Sequence, residues 1–372
     1  MDFQAETEWI REAIRGLRAF VRRQREPGQP WGVFRLTETA EWHYGQQQTS
    51  VCGSMTARVI GLLNELSEED KDEWATCLNG QQQMDTGFYV DGPHFARYCA
   101  NHSDLNEQLR VREGWTRNSL QALRQLERRP AYPIRHRRSF ASAGELLTHI
   151  ESLTWAAGPW GAGSWFGLDG LYLALAAKDG DAEAARLFQV CYGWMRENQS
   201  PETGFWRGEQ ATLVNAVNGA FKIMAAYVYG LHCPLQYPEA LINTCLRHLG
   251  DDSIFGENAG HGCHDLDVFL CLDAALQLTD HRREEAREAA ARRIARLRYY
   301  LRSDGGLDAS PVAPGSEAFR ELGTLWGSAL ITAALDFACR VAEPEIFEES
   351  GLERREWSDA WSDDDLERVL SA

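Results

Sequence analysis

Apolar residues recur along this chain at the three-to-four-residue spacing of amphipathic helices, in blocks separated by Gly and Pro. No block shows the period-two alternation of a half-buried strand, so almost no sheet is expected. The blocks predict about twelve helices, over residues 6–24, 46–66, 67–83, 113–128, 142–155, 164–177, 182–199, 210–230, 238–249, 264–278, 281–302 and 316–341. Ser67-Glu68-Glu69-Asp70 reads as an N-terminal cap, and Pro238 as the first residue of its helix. The helices alternate in character. Some are charged and amphipathic, such as the Arg- and Glu-rich run 282–298. Others, such as 211–229 and 322–337, are apolar nearly all round and so must be buried. This alternation, with a repeat near 50–60 residues, predicts an all-α fold: an (α/α)6 toroid with an inner ring of helices inside an outer one. Residues 1–345 read as that single domain. Residues 346–372 turn acidic and read as a surface tail or final short helix.

Composition narrows the function classes. The net charge of −17 repels a nucleic-acid backbone. The basic stretch from Arg128 to Arg138 is the local exception, either a clamp for an anionic group or a solvated loop. No apolar run reaches membrane-spanning length, and the N-terminal segment has no signal-peptide pattern. Nine scattered cysteines without CxxC pairs read as reduced thiols, which points to the cytoplasm. With 13 Trp, 15 Phe and 11 Tyr, the aromatics can fill a core or line a binding cavity. Trp42, Tyr44, Trp115, Trp160, Trp165 and Trp206 fall at or before the starts of apolar helices and are candidates for a pocket rim.

The turns after the charged helices carry a recurring pattern. Gln199-Ser200-Pro201-Glu202-Thr203-Gly204-Phe205-Trp206 is its clearest copy, and Gln83-Met84-Asp85-Thr86-Gly87-Phe88-Tyr89 is a second. Gly16, Phe20, Gln24, Gly28 and Trp31 form a third, and Tyr300 through Asp304-Gly305-Gly306-Leu307 a worn fourth. In such a unit Gln can cap backbone groups, Gly takes the turn and the aromatic packs on the next unit. The pattern resembles the Gln-Trp repeat of squalene/hopene cyclases and their relatives in the terpenoid cyclase and protein prenyltransferase toroid superfamily. The resemblance implies architecture over most of the chain.

Candidate chemistry gathers where polar residues interrupt apolar helices, because burying them costs free energy unless they have partners or a polar ligand. In Cys263-His264-Asp265-Leu266-Asp267-Val268, two carboxylates open a very apolar helix. Asp265 is expected to cap the helix. Asp267 lies further in, where it either joins a buried network or works as a catalytic acid, with His264 as its possible partner. Asp265-Leu266-Asp267-Val268 is similar to the Asp-x-Asp-Asp motif of class II terpene cyclases, whose middle Asp protonates the substrate; here Val268 replaces the last Asp. Asn215, Asn218 and Lys222 share one face of the 210–230 helix, and Lys222 needs a carboxylate or an anionic ligand. With Asp169, Trp165, Trp115 and Glu321, these three make up the expected substrate-binding set. Cys263-His264, with Cys191 upstream, raises a zinc alternative like that of lanthipeptide cyclases, but Cys191 falls mid-helix, and neither a metal nor a cofactor is expected. No phosphate loop or nucleotide fingerprint is present.

Two enzyme classes follow. One is a terpenoid-cyclase-like enzyme that protonates an isoprenoid-type small molecule in a central cavity through Asp267. The other is a carbohydrate-active toroid (glycoside hydrolase, polysaccharide lyase or uronate epimerase) that uses paired acid and base residues. A non-catalytic helical scaffold is the third reading.

Overall fold

A computed structural model describes residues 3–37, 46–90, 92–134, 140–256, 259–312, 322–342, 348–353 and 363–371. Among them the chain is all-helical and contains no strand, only isolated antiparallel bridges. It divides into two compact units, each built from segments distant in sequence.

The first unit comprises Met1–His136, Asp252–Leu266 and Arg287–Glu356. It holds α1 (Phe3–Gln24), α2 (Gln46–Val59), α3 (Glu68–Asn79), α4 (Gly92–Asn101) and α5 (Leu105–Gln125). α2 carries Gly53, Ser54 and Ala57, all buried. A Cβ on Gly53 would lie 3.2 Å from the Phe34 ring and 3.3 Å from Trp74, so the small residue admits an aromatic layer. In that layer Trp31 and Trp74 stack with centroids 5.6 Å apart, and Phe34 lies 4.9 Å from Trp74. These rings are core, worth about 0.5–1.5 kcal/mol per pair beyond their burial.

The second unit comprises Arg137–Asp251, Asp267–Ala286 and Trp357–Ala372. It holds α6 (Ala143–Ser152), α7 (Pro159–Lys178), α8 (Ala182–Glu197), α9 (Leu213–Ile223) and α10 (Pro238–Leu249). Gly163, Gly167 and Gly170, spaced by four and three along α7, form a seam for α9. Added Cβ atoms there would meet the Gly219 carbonyl at 2.5 Å, the Lys222 carbonyl at 2.9 Å and the Tyr227 hydroxyl at 1.9 Å. α9 then loosens into a π-helical turn, Met224–Val228.

α11 (Asp252–Phe255) precedes α12 (Gly262–Leu276), whose first residues belong to the first unit and whose body belongs to the second. α13 (Arg283–Leu297) continues as a 3₁₀ turn, Arg298–Tyr300; α14 (Leu325–Ala342) and α15 (Asp363–Ser371) follow. By length and composition α14 is the one described helix that could cross a membrane, but 89% of it is buried inside the protein, as in a core helix.

The helix count exceeds the expected twelve. α4 and α11 are short, 10 and 4 residues, and were not expected, whereas α15 is the final short helix that was one of the two readings of the C-terminal segment. α5 starts at Leu105, earlier than expected, because the Asp104 side chain caps it by accepting from the Asn106 N–H. The expected helix 46–66 stops at Val59, and Gly61, at φ +70°, turns it into the 3₁₀ segment Leu62–Glu65. The expected helix 316–341 is described only from Leu325, where the Thr324 hydroxyl accepts from the Gly327 N–H.

The recurring turn proves to be a built unit. All four copies close with one antiparallel bridge: Arg25 to Phe34, Gln82 to Tyr89, Gln199 to Trp206 and Leu301 to Leu307. The second copy is keyed by Gln82, not Gln83. Gln82 donates to the Gly87 carbonyl at 2.7 Å and accepts from the Tyr132 N–H at 2.8 Å. Gln199 likewise donates to the Gly204 carbonyl at 2.9 Å and accepts from the Gln236 N–H at 2.9 Å. In the fourth copy buried Arg302 donates to the Tyr300 carbonyl at 3.0 Å and the Ser310 carbonyl at 2.6 Å.

Candidate functional site

The two carboxylates that open α12 meet different chemistry. Contrary to the expectation from sequence, Asp265 does not serve as the helix cap; its oxygens are already taken. Arg293, from α13, donates to both, at 2.5 Å and 2.9 Å, and the Tyr300 hydroxyl donates to Oδ2 at 2.6 Å. Asp265 is fully buried and Arg293 nearly so. Burial works against the Arg293 charge, but Asp265 outweighs it and holds the guanidinium above its ordinary range. Burial, and then the Asp265 charge, push the Tyr300 hydroxyl far up. A bidentate, fully bonded pair of this kind holds structure in place. The first turn is served by His261, whose Nδ1 accepts from the Cys263 N–H at 3.2 Å.

His264, expected as the partner of Asp267, lies against His261 with ring centroids 5.7 Å apart. Burial and the neighbouring His261 lower its pKa, so it favours the neutral ring.

Asp267 has another setting. It belongs to the second unit, on a stretch of α12 where Val268, Phe269, Leu270, Cys271 and Leu272 are all fully buried. With the Asn218 amide nitrogen turned toward it, Asn218 donates to Asp267 Oδ2 at 3.0 Å and to the Val214 carbonyl at 3.1 Å. Burial raises the Asp267 carboxyl well above its ordinary range, and the Lys222 charge opposes that rise without cancelling it. Burial therefore favours the protonated form of this acid more than that of an exposed carboxyl. Lys222 lies one helical turn beyond Asn218 on α9, its Nζ 5.1 Å from the Phe221 ring centroid and 6.0 Å from that of Trp160. Trp160 itself is 54% exposed.

Of the expected substrate-binding residues, the structure thus brings together Asn218, Lys222 and the acid Asp267. Asn215 is half-buried in the first turn of α9, its N–H 3.4 Å from the Thr212 hydroxyl that caps the helix. Trp115 is in the first unit, buried and edge-on to Phe95 at 5.8 Å. Glu321, Trp42 and Tyr44 lie outside the described residues. Trp206 is core, its indole N–H donating to the Met195 carbonyl at 2.6 Å.

Asp169 has a partner that sequence reasoning missed. His149 Nε2 on α6 lies 3.0 Å from its Oδ2, with the Asp169 side chain buried and that of His149 23% exposed. Phe140 and Trp165 flank the imidazole at 5.4 Å and 6.3 Å. The two residues lie on different helices, and no local spacing announces such a pair.

Arg128, in the basic stretch, is engaged with Glu68 at 2.8 Å and Asp72 at 2.5 Å. Cys191 is mid-helix in α8 and fully buried, its thiol pushed up by burial and by the nearby Asp169 charge. Among the described residues no three His, Cys, Asp or Glu side chains group in a way that would hold a metal ion. Comparison with protein families, with curated proteins and with solved structures finds no match to this chain.

Proposed function

We propose that the protein is an enzyme in which the Asp267 carboxylic acid donates a proton to a small organic molecule, in a reaction of the isomerase (cyclising) or lyase class. The observation that carries this reading is the Asp267 setting: a fully buried acid whose protonated form burial favours, with an amide donor and a cation beside it. The arrangement suits an acid that must hold a proton and then lose it. Before transfer, the apolar surroundings disfavour the carboxylate. After transfer, the Asn218 amide and the Lys222 charge stabilise it. Protonation of an alkene or epoxide would leave a carbocation, which the faces of nearby aromatic rings can stabilise. The acid recovers its proton when the product cation loses one.

An (α/α)6 ring belongs to the same reading. Its support is the alternation of amphipathic helices such as α1 and α13 with buried ones such as α9 and α14, and the turn unit that recurs four times. The nine free thiols suit a reducing, cytosolic setting.

The His149–Asp169 pair beside Trp165 favours a second reading, acid–base chemistry on a sugar ring stacked against an indole. One experiment tests both. Wild type, Asp267→Asn and His149→Gln are compared in a panel of isoprenoid and oligosaccharide turnovers. Asp267→Asn is expected to lose about 10²–10⁴-fold in kcat. Wild-type turnover is expected to fall as pH rises through the elevated Asp267 pKa, since the protonated form is the active one. Undiminished turnover in Asp267→Asn sinks the first reading; loss confined to His149→Gln on oligosaccharides selects the second.

A further inference from the structure

Arg11, Arg15, Arg18 and Arg22 recur along α1 at alternating spacings of four and three, which places them on one helix face. On a chain of net charge −17, such a stripe locally reverses the field. Three of the four line a cleft of about 540 Å³ in the first unit, together with Glu8 and Ile14 of α1 and with Ser350 and Gly351. That volume falls in the range of small-molecule sites. Arg22 continues the stripe beyond the cleft, where it pairs with Glu65.

The three guanidinium groups of the cleft are held to different degrees. Arg11 Nε donates to the Glu349 carbonyl at 2.6 Å. Arg18 Nε donates to the Ile60 carbonyl at 2.8 Å, and its Nη1 lies 2.7 Å from Glu65. Each guanidinium carries five N–H donors, so these bonds orient the two groups without using all their donors. Arg15 is held loosely. It pairs with Glu12 at 3.8 Å, and the two side chains are 75% and 69% exposed. So long and exposed a pair contributes little, and giving it up costs little. Glu8 stands about one turn before Arg11, so the basic part of the cleft runs from Arg11 to Arg18. Ile14 supplies an apolar side chain within that stretch.

We propose that this cleft binds a small organic phosphate, with Arg11, Arg15 and Arg18 as its donors. Side chains three and four apart on a helix are neighbours, so Arg15 can share one anionic group with Arg11 or with Arg18. One guanidinium fork occupies both oxygens of a carboxylate. A phosphate monoester offers three oxygens and up to two charges, which suits two forks at once. Glu8 disfavours a second anionic group at the far end of the cleft, and Ile14 favours an apolar body there. The ligand class is therefore a phosphate at one end of an uncharged organic group. The site lies in the first unit and does not rest on the reading of Asp267, which belongs to the second.

The test is a calorimetric titration of the full chain with phenyl phosphate at low ionic strength, where exposed charges are least screened. Saturable binding is expected, and added salt is expected to weaken it. Arg15→Gln is expected to weaken it about 10-fold or more, the loss of a charge-assisted hydrogen bond. Arg22→Gln, which removes the same charge from the same stripe outside the cleft, is expected to leave it unchanged. Both side chains are largely exposed, and matching thermal unfolding without ligand checks that both variants fold. Benzoate lacks the phosphate and inorganic phosphate lacks the organic group, so each is expected to bind more weakly than phenyl phosphate. Either one binding as tightly overturns the ligand class. Absence of saturable binding overturns the proposal, as does equal weakening in Arg15→Gln and Arg22→Gln; both results leave the acid role of Asp267 to the turnover panel.

Discussion

Two positions separate Asp265 from Asp267 on α12, a rotation of about 200° around the helix, and that rotation gives the two carboxyls different partners. Asp265 ends in a closed network with Arg293 and Tyr300. Removing one member strands a buried charge, so Asp265→Asn is expected to cost about 3–5 kcal/mol, measured as the shift in urea midpoint at unchanged slope. The paired replacement Asp265→Leu with Arg293→Met is expected to recover most of that loss, because no charge is left unpaired. A single and a double variant of equal stability would show that the pair is not the unit. From sequence, both carboxylates were legible as unusual. Their partners were not, because Arg293, Tyr300 and Asn218 come from segments brought together only by folding. His149 was missed for the same reason.

At the scale of elements, the turn unit explains why glycine recurs in it. Gly204 has φ +72°, and a Cβ there would lie 2.4 Å from the Leu241 backbone nitrogen. Gly28, at φ +77°, occupies a comparable turn with nothing within 4 Å of the added atom. Gly28→Ala is therefore expected to cost only the left-handed penalty, about 1–2 kcal/mol, and Gly204→Ala clearly more. Thermal unfolding of the two variants side by side checks this, and equal losses would remove the steric part of the argument. The repeat was visible as Gln, Gly and aromatic residues in order. Its register was not, since Gln82 and Gln83 are neighbours of one type and only the bridge to Tyr89 distinguishes them. The Gly163–Gly167–Gly170 seam was equally hidden, because glycine spacing does not say which helix approaches.

Across the whole molecule, burial sorts the nine free cysteines. Cys77, Cys99 and Cys263 are half-buried, and the other six are buried. Burial raises the Cys77 thiol to about 11 and pushes those of Cys191, Cys233, Cys271 and Cys339 up as well, and the thiolate is the reactive form. Titration of the native protein with an aromatic disulfide reagent is expected to find no more than three slow thiols, with the remaining six appearing only in denaturant. More than three fast thiols would contradict the packing of both units.

The sequence alone determined that the chain is helical, where most helices lie, that a turn motif recurs, and that α12 opens with two carboxylates in apolar surroundings. These are local properties: periodicity, capping chemistry and the cost of burying charge act over a few residues. Tertiary structure decided which carboxyl is tied in an ion pair and which is pushed up by burial. It also supplied the amide and the lysine beside Asp267, and joined His149 to Asp169. Those outcomes depend on which distant side chain arrives at a given face of a helix. Spacing along the chain carries no record of that, because the free energy that selects it comes from packing between segments far apart in sequence.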